Sequence, residues 1–473
     1  MHLGQNQFMN EFHDYSEIKF STKVHASYAL GSFFDDFLAT ALSFMVFKFY
    51  ETEIFLNITL ITIVVVIYGV WNMFNDPLAG HISNLNIEFM KKRGKRFTWF
   101  FLTGIPTSII FVLIFLPPTG NEVNIFLWLL FTLCILDTFF SFMIISYQSI
   151  YPDKFRSQKE RTKVAGFQIL YSLFGLTFGT LLPTLIISTG SPGTNISSYI
   201  TVGLIVTIVC TIIVILMIYG MRENREMIDR TFIINEDQMP KENYFRKLSV
   251  ALKQKNYISY LLAYLAQTTV MVLMLASVPY WVQYVIKIDP IYEIVILLAF
   301  LFSSVLSAPF WIFIARKFGN RIGYMCGTGG TATFLILTLF IWDFPLVIFG
   351  FILIGFSMGA TWTLIYATFS DVIDEIVIKT RKREEGIYYG FRTFIGRLSI
   401  VIQALTIGII HLLTSFDPRA SNQLIEAQWG INVGMFAVPA LFYLIGFFFM
   451  WKIYDLKPKK VAENKNKLKE LKL

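Results

Sequence analysis

The stretch "FLNITLITIVVVIYGVWNMFNDPLAGHISN" (residues 55–84) decides how the chain is read. Its first part is an unbroken apolar run, and the run continues without a loop into Asn72, Asn75, Asp76 and Pro77. A length of about 20 apolar residues crosses a hydrocarbon core of roughly 30 Å as a helix. An ionised carboxylate inside such a helix costs roughly 2.5–3.5 kcal/mol even on lenient insertion scales. The polar end therefore points to a function that compensates for that cost.

Outward from this stretch, similar runs recur. Twelve are read: 26–50, 55–83, 97–116, 125–150, 164–188, 199–219, 257–286, 292–314, 322–342, 345–369, 387–413 and 431–450. The composition agrees, with 55% hydrophobic, 17% aromatic and only 15% charged residues, too little charge to cover a soluble surface. The first 25 residues lack a signal-peptide pattern, so the first span is expected to remain as an uncleaved anchor.

Charge is segregated between the two sets of loops. The set that includes both termini carries about 35 of the 40 Lys and Arg, and the other has Lys287 and Arg419, with Lys48 at the adjoining end of the first span. The positive-inside rule then places both termini in the cytoplasm. The net charge of +8 is thus a topology signal, and no nucleic-acid partner is expected. Cys134, Cys210 and Cys326 fall inside spans without metal-ligand spacing and read as buried small residues. Of the five histidines, His81 alone adjoins the opening motif, and it reads as a helix-end residue.

The longest loop, 221–256, divides six spans from six. The segment 80–96, "GHISNLNIEFMKKRGKR", has a shorter counterpart in 314–321, "IARKFGNR". "KERTKVAGFQ" (159–168) enters the fifth span as "REEGIYYGFR" (383–392) enters the eleventh, with Gly-Phe-polar at the same spacing. Repeats offset by six helices predict an all-α integral membrane protein of the major facilitator type, two six-helix bundles rocking about a site near the bilayer midplane. The expected division is a tail over 1–25, a first bundle over 26–220, the loop 221–256, a second bundle over 257–453 and a basic tail over 454–473.

Ionisable residues deep in the spans are few: Asp35, Asp36, Asp76, Asp137, Arg392 and Arg397. Asn72 and Asp76 are four apart and share a helix face, and Pro77 frees a carbonyl one turn earlier. Four acids against two arginines leave an excess of negative charge, which is costly to bury unless cations, protons or water enter. A cavity that recruits a cation is the basis of cation-coupled transport. The alternative, in which Asp36 and Asp137 pair with Arg397 as a static clamp, leaves Asp76 unexplained. Asp35 points to a different face from Asp36 and reads as solvated or capping.

From about residue 26 to 450 the chain resembles the glycoside–pentoside–hexuronide:cation symporters, the group of melibiose permease. "WNMFNDPLAG" (71–80) is similar to the family's W-D-x-x-N-D-P-x-x-G with one change, and "RGKRFTWF" (93–100) to its G-K/R-x-R-P-W, with Thr98 in place of proline. "FSDVIDEIVIKTRKREEGIYYGFRTFIGR" (369–397) resembles the stretch before and into the family's eleventh helix. The resemblance implies a cation site of Asn72, Asn75, Asp76 and Asp137. It implies solute contacts from Asp36, Asp137, Gln168, Trp362 and Arg397, and gating loops with Arg96, Arg161, Asp371, Asp374, Arg383 and Glu385. Asn72 stands where the family has a carboxylate, Ser141 where melibiose permease stacks its sugar on tryptophan, and Gln168 where an arginine is common.

The expectation is a secondary transporter, monomeric in the plasma membrane. It would carry a sugar- or glycoside-like solute with H+ or Na+, and need no metal or organic cofactor. A lysolipid-like or other amphiphilic solute is the alternative, and a non-transporting sensor or structural membrane protein belongs to another class. No nucleophile–base pair, metal cluster or cofactor loop suggests an enzyme.

Overall fold

A computed structural model describes residues 20–83, 90, 92–155, 157–187, 191–225, 227–228, 252–380 and 385–470. These residues are helical with short connections. The first half comprises α1 (Thr22–Glu53), α2 (Ile58–Ser83), α3 (Lys95–Ile114), α4 (Glu122–Lys154), α5 (Gln158–Ile186) and α6 (Ile196–Met221). The second comprises α7 (Lys255–Ile286), α8 (Pro290–Phe318), α9 (Asn320–Thr338), α10 (Phe344–Thr380), α11 (Glu385–Leu413) and α12 (Ile425–Lys452). A further helix, α13 (Pro458–Glu470), follows.

Among the described residues, eleven of the helices α1 to α12 are long and apolar enough to cross a membrane. The exception is α9, a 19-residue helix in which Gly and Thr replace much of the aliphatic surface. Those small residues let it pack closely, as small side chains do between membrane helices. A Cβ on Gly327 would come within 2.4 Å of Ala360 on α10.

The two halves repeat one packing scheme. In the first, α1 packs on α5 and α6, α4 on α2 and α3, and α3 on α6. In the second, α7 packs on α11 and α12, α10 on α8 and α9, and α9 on α12. Local geometry repeats as well. α1 ends in a π-turn over Phe49–Glu53 and α7 in one over Trp281–Ile286. Gly94 before α3 and Gly319 before α9 both have positive φ, 92° and 91°, which a side chain would strain. This is the structural counterpart of the match between 80–96 and 314–321. Between the halves, α2 meets α11, α5 meets α8 and α1 meets α7.

Short-range chemistry sets the helix starts. Asn121 accepts from the Asn124 amide to cap α4, and Ser157 accepts from the Glu160 amide to cap α5. The Glu160 carboxylate reaches back to the Phe20 amide and to His25, 2.5 Å away, fastening the entry of α1.

Within the basic tail after the last span, residues 458–470 fold as α13 against α10. α10 itself runs on to Thr380, well past the apolar run, because its last turns bury Val372, Ile376 and Val377 on one side. Only Cys210 is buried as expected; Cys134 is half-buried and Cys326 exposed.

Candidate functional site

α2 carries Asn72, Asn75 and Asp76 on the side that meets α4 and α11. Asp137, in the middle of α4 and 3% exposed, accepts hydrogen bonds from the side-chain amides of Asn72 and Asn75, the latter at 2.8 Å. One turn along α4, Ser141 donates to the Asp76 carboxylate at 2.6 Å and accepts from Asn75 at 3.0 Å. Ser141 thus belongs to this polar knot, where a tryptophan would have offered a stacking face.

Arg397 enters from α11 in the other half. Its Nη2 and Nε donate to Asp76 at 3.0 and 3.2 Å. Asp76 and Arg397 are partly exposed, at 22% and 33%, so their bridge borders the space between the halves, with Asp137 behind it. The clamp alternative is therefore corrected in its partners: Arg397 bonds Asp76, and neither Asp36 nor Asp137. The Asn72 oxygen is buried without a hydrogen-bond partner. A buried acceptor left unsatisfied is costly, and beside a carboxylate it is suited to ligate a small cation.

The charge balance also differs from its sequence reading. Arg392 does not face the acids but lies among Tyr264, Tyr366, Phe369 and Tyr389. Asp35 is half-buried and within electrostatic reach of Arg397 and Asp76, so it borders the same space as Asp36 and is not a solvated cap. Among the described residues, Arg397 alone therefore opposes Asp35, Asp36, Asp76 and Asp137.

The residues expected to touch the solute are split. On the first half, Asp36 accepts from Ser172 of α5. Gln168 donates to the Tyr147 hydroxyl at 2.6 Å, and that hydroxyl lies 3.2 Å from Ser32 of α1. Tyr147 was not singled out from the sequence, since nothing in its spacing separates it from the other 21 of 22 tyrosines. Trp362 stands in the second half, edge-on to Phe300 at 5.9 Å. Close by, an apolar cavity opens between the halves, lined by Thr40 and Leu176 on one side and Met271, Leu275, Phe300 and Met358 on the other.

The gating candidates lie at the end that carries the termini. Arg96 pairs with Asp153, and Arg161 donates to the Phe155 carbonyl at 2.7 Å. Asp371 accepts from Asn320 at 2.7 Å, with Asp374 half-buried one turn on. Each of these bonds stays within one half. Arg383 lies outside the described residues, and Glu385 is the first residue of α11. At the opposite end, polar contacts join the halves. Glu51 of α1 meets His411 of α11 at 2.9 Å and accepts from Tyr280 of α7 at 2.6 Å, and Lys48 donates to the Pro279 carbonyl at 3.1 Å. Sequence reasoning missed this cluster, because His411 lies in the last turn of the run 387–413 and Glu51 just past the run 26–50, where polar residues are ordinary helix ends.

Residues 27–457 match the family model described as MFS/sugar transport protein. The chain belongs to that family. This transporter is 21% identical to the sodium-dependent lysophosphatidylcholine symporter 1 of Gallus gallus, over 87% of the chain and 82% of the relative. It is 24% identical to the raffinose carrier protein of Pediococcus pentosaceus, over 86% and 64%. The xylose transporter XylE of E. coli, in an inward-open conformation, superposes with a TM-score of 0.62 at 14% identity, over 94% of this chain and 98% of that one. The transporter is a multi-pass membrane protein of the major facilitator fold, and it is not an enzyme.

Proposed function

We propose that the transporter is a cation-coupled symporter of a sugar- or glycoside-like solute and works by alternating access. The observation that carries this reading is the Asp137–Asn72–Asn75 knot lying behind the Asp76–Arg397 bridge. A cation bound at Asp137 and the orphan Asn72 oxygen would shift the charge felt by Asp76, and Asp76 is bonded across the halves. Ion occupancy and the relative position of the halves would then be linked. Asn72, Asn75, Asp76 and Asp137 form the proposed cation site, taking H+ or Na+. Asp36, Gln168 and Arg397 would bond solute hydroxyls, with Trp362 closing the second half. The chain would act as a monomer in the plasma membrane with both termini cytoplasmic, in line with its charge segregation.

A second reading, an amphiphilic solute, is favoured by the apolar cavity beside these groups. The similarity to lysophosphatidylcholine symporters points the same way.

Purified protein in proteoliposomes tests both. Radiolabelled raffinose and lysophosphatidylcholine are offered under an imposed Na+ gradient with pH clamped, and separately under a pH gradient without Na+. Accumulation of either solute that collapses with the matching ionophore is the expected result. Counterflow without gradient-driven accumulation would overturn coupling, and absence of both solutes' exchange would overturn the two substrate readings.

A further inference from the structure

Arg392 is 3% exposed, and its hydrogen bond goes to a tyrosine, not to any of the four intramembrane acids. Its guanidinium carbon lies 4.5 Å from the ring centre of Tyr389, 4.6 Å from Tyr264, 5.1 Å from Phe369 and 5.2 Å from Tyr366. Nη1 donates to the Tyr260 hydroxyl at 3.1 Å, and Nε is buried with no acceptor. Ring faces stabilise a cation above their planes, but they do not satisfy the N–H groups that point along the guanidinium plane. Burying a charge in this way is costly unless something else completes its bonding.

The surroundings offer phenolic hydroxyls, which can donate as well as accept. Among the described residues, the hydroxyls of Tyr264, Tyr366 and Tyr389 have no hydrogen-bond partner, and Tyr366 and Tyr389 are 60% and 40% exposed. The cage is therefore open on the side of these two rings. A fixed positive charge with an unused N–H, ringed by phenolic O–H groups, is complementary to an oxyanion.

Its place in the repeat agrees. "GFR" (390–392) on α11 matches "GFQ" (166–168) on α5, so Arg392 is the second-half counterpart of Gln168, which bonds the Tyr147 hydroxyl as Arg392 bonds that of Tyr260. On α10, Met358 of the apolar cavity, Trp362 and Tyr366 follow at four-residue steps along one face. Eight residues of helix span roughly 12 Å, about the length of a small glycoside.

We infer that Arg392 in its ring cage is the binding point for an oxyanion, a carboxylate or phosphate, carried by the transported solute. This rests on the symport reading. The solute would then lie along α10 with its anionic end at the cage and its remainder at Trp362.

Binding is measured without any gradient, on the full-length protein in nanodiscs, by calorimetry and thermal shift. The probes are methyl β-D-glucuronide, glucose 1-phosphate and dodecyl phosphate, with methyl β-D-glucoside as the neutral comparison and inorganic phosphate as the free anion. At least one of the three anionic solutes is expected to bind tenfold or more tightly than the glucoside. Arg392→Gln should lose that tenfold and Arg392→Lys should keep part of it. Tyr366→Phe with Tyr389→Phe, which preserves the rings, should weaken the anion about threefold and leave the glucoside unchanged, so the test survives a folding defect in Arg392→Gln. Equal affinity for glucoside and all three anionic solutes overturns the inference, as does binding of inorganic phosphate alone. Counterflow of a neutral sugar without anion binding removes this inference and leaves symport standing. Anion binding without counterflow of any probe removes symport and leaves the site.

Discussion

Asn72 donates its amide hydrogen to Asp137, while its own buried oxygen accepts nothing. Replacing it by Asp would set two carboxylates side by side, with a repulsion on the order of a few kcal/mol at an effective dielectric of about 20. A bound cation relieves that repulsion. Asn72→Asp is therefore expected to lower the Na+ concentration for half-maximal uptake by about tenfold or more, a shift of ~1.4 kcal/mol or above. A Na+ titration of uptake at fixed pH measures it; an unchanged or weaker response would place Asn72 outside the ion site. Asp137→Asn keeps the shape of the knot but removes its charge, and should abolish gradient-driven accumulation while leaving the protein folded. Asp35→Asn removes a carboxylate with no hydrogen-bond partner and should reduce uptake less. Uptake by the two variants at matched expression decides between them, and the reverse order would move the essential carboxylate of the ion cycle to α1.

At the scale of elements, α13 is held by a compact set of charges. Asp455 accepts from Asn256 and Lys460 at 2.7 Å each and pairs with Lys255 at 2.7 Å, and Lys460 also reaches Glu375 on α10 at 3.1 Å. Burial raises the Asp455 pKa, but the bonds from Lys255, Lys460 and Asn256 outweigh it and hold the carboxyl well below the usual carboxylate range. A carboxyl depressed in the folded state contributes stability above its unfolded pKa of about 3.9 and loses it as pH falls from there. The side chain is 35% exposed, so solvent screening limits the contribution to about 1 kcal/mol. Asp455→Asn at neutral pH should speed trypsin cleavage within α13 about fivefold, the factor that corresponds to ~1 kcal/mol. Protection of the α13 amides in the wild type, the intrinsic exchange rate at each pH divided by the observed one, should fall below about pH 4 and change little between pH 5 and 8. A loss of protection centred near neutral pH would assign the docking to another group.

Over the whole molecule, the bonds between halves at the end opposite the termini close the central cavity from that side. Glu51, His411 and Tyr280 lie on three helices from both halves and are 1%, 5% and 1% exposed. His411→Ala removes one partner of the buried Glu51 and leaves the bond from Tyr280. Loss of one buried partner costs about 1–3 kcal/mol, enough to raise the population open at that end at least several-fold. In a background without native cysteines, Thr40→Cys in the cavity should react faster with an impermeant maleimide from outside intact cells when His411→Ala is present. An unchanged rate would show that other contacts hold that end shut. The same reagent checks orientation. Ser191→Cys, in the loop between α5 and α6, should be labelled from outside and Lys92→Cys should not; the reverse pattern would invert the topology.

The membrane-spanning runs, the two-half repeat and the polar face of α2 were legible because each depends on contiguous residues. Hydropathy over about 20 positions and the 3.6-residue period need no knowledge of neighbours. The sequence reads α9 as a span too, although its glycines and threonines leave it short of the apolar surface of the other eleven. Partners were another matter. The sequence counted Arg392 and Arg397 alike against the acids, whereas packing of α11 on α2 gives Arg397 to Asp76, and packing of α11 on α7 places Arg392 among rings five residues earlier. Five residues of helix turn a side chain by about 140°, beyond the width of a shared face. Tyr147, the Glu51–His411 contact and the docking of α13 were equally hidden, since Tyr147 meets Ser32 on a helix 115 positions away, Glu51 meets His411 360 positions away, and Lys460 reaches Glu375 on a surface formed elsewhere. Local chemistry made the helices; the pairing of helices across and within the two halves decided which charges meet, because a buried charge is tolerated only where another element supplies its partner.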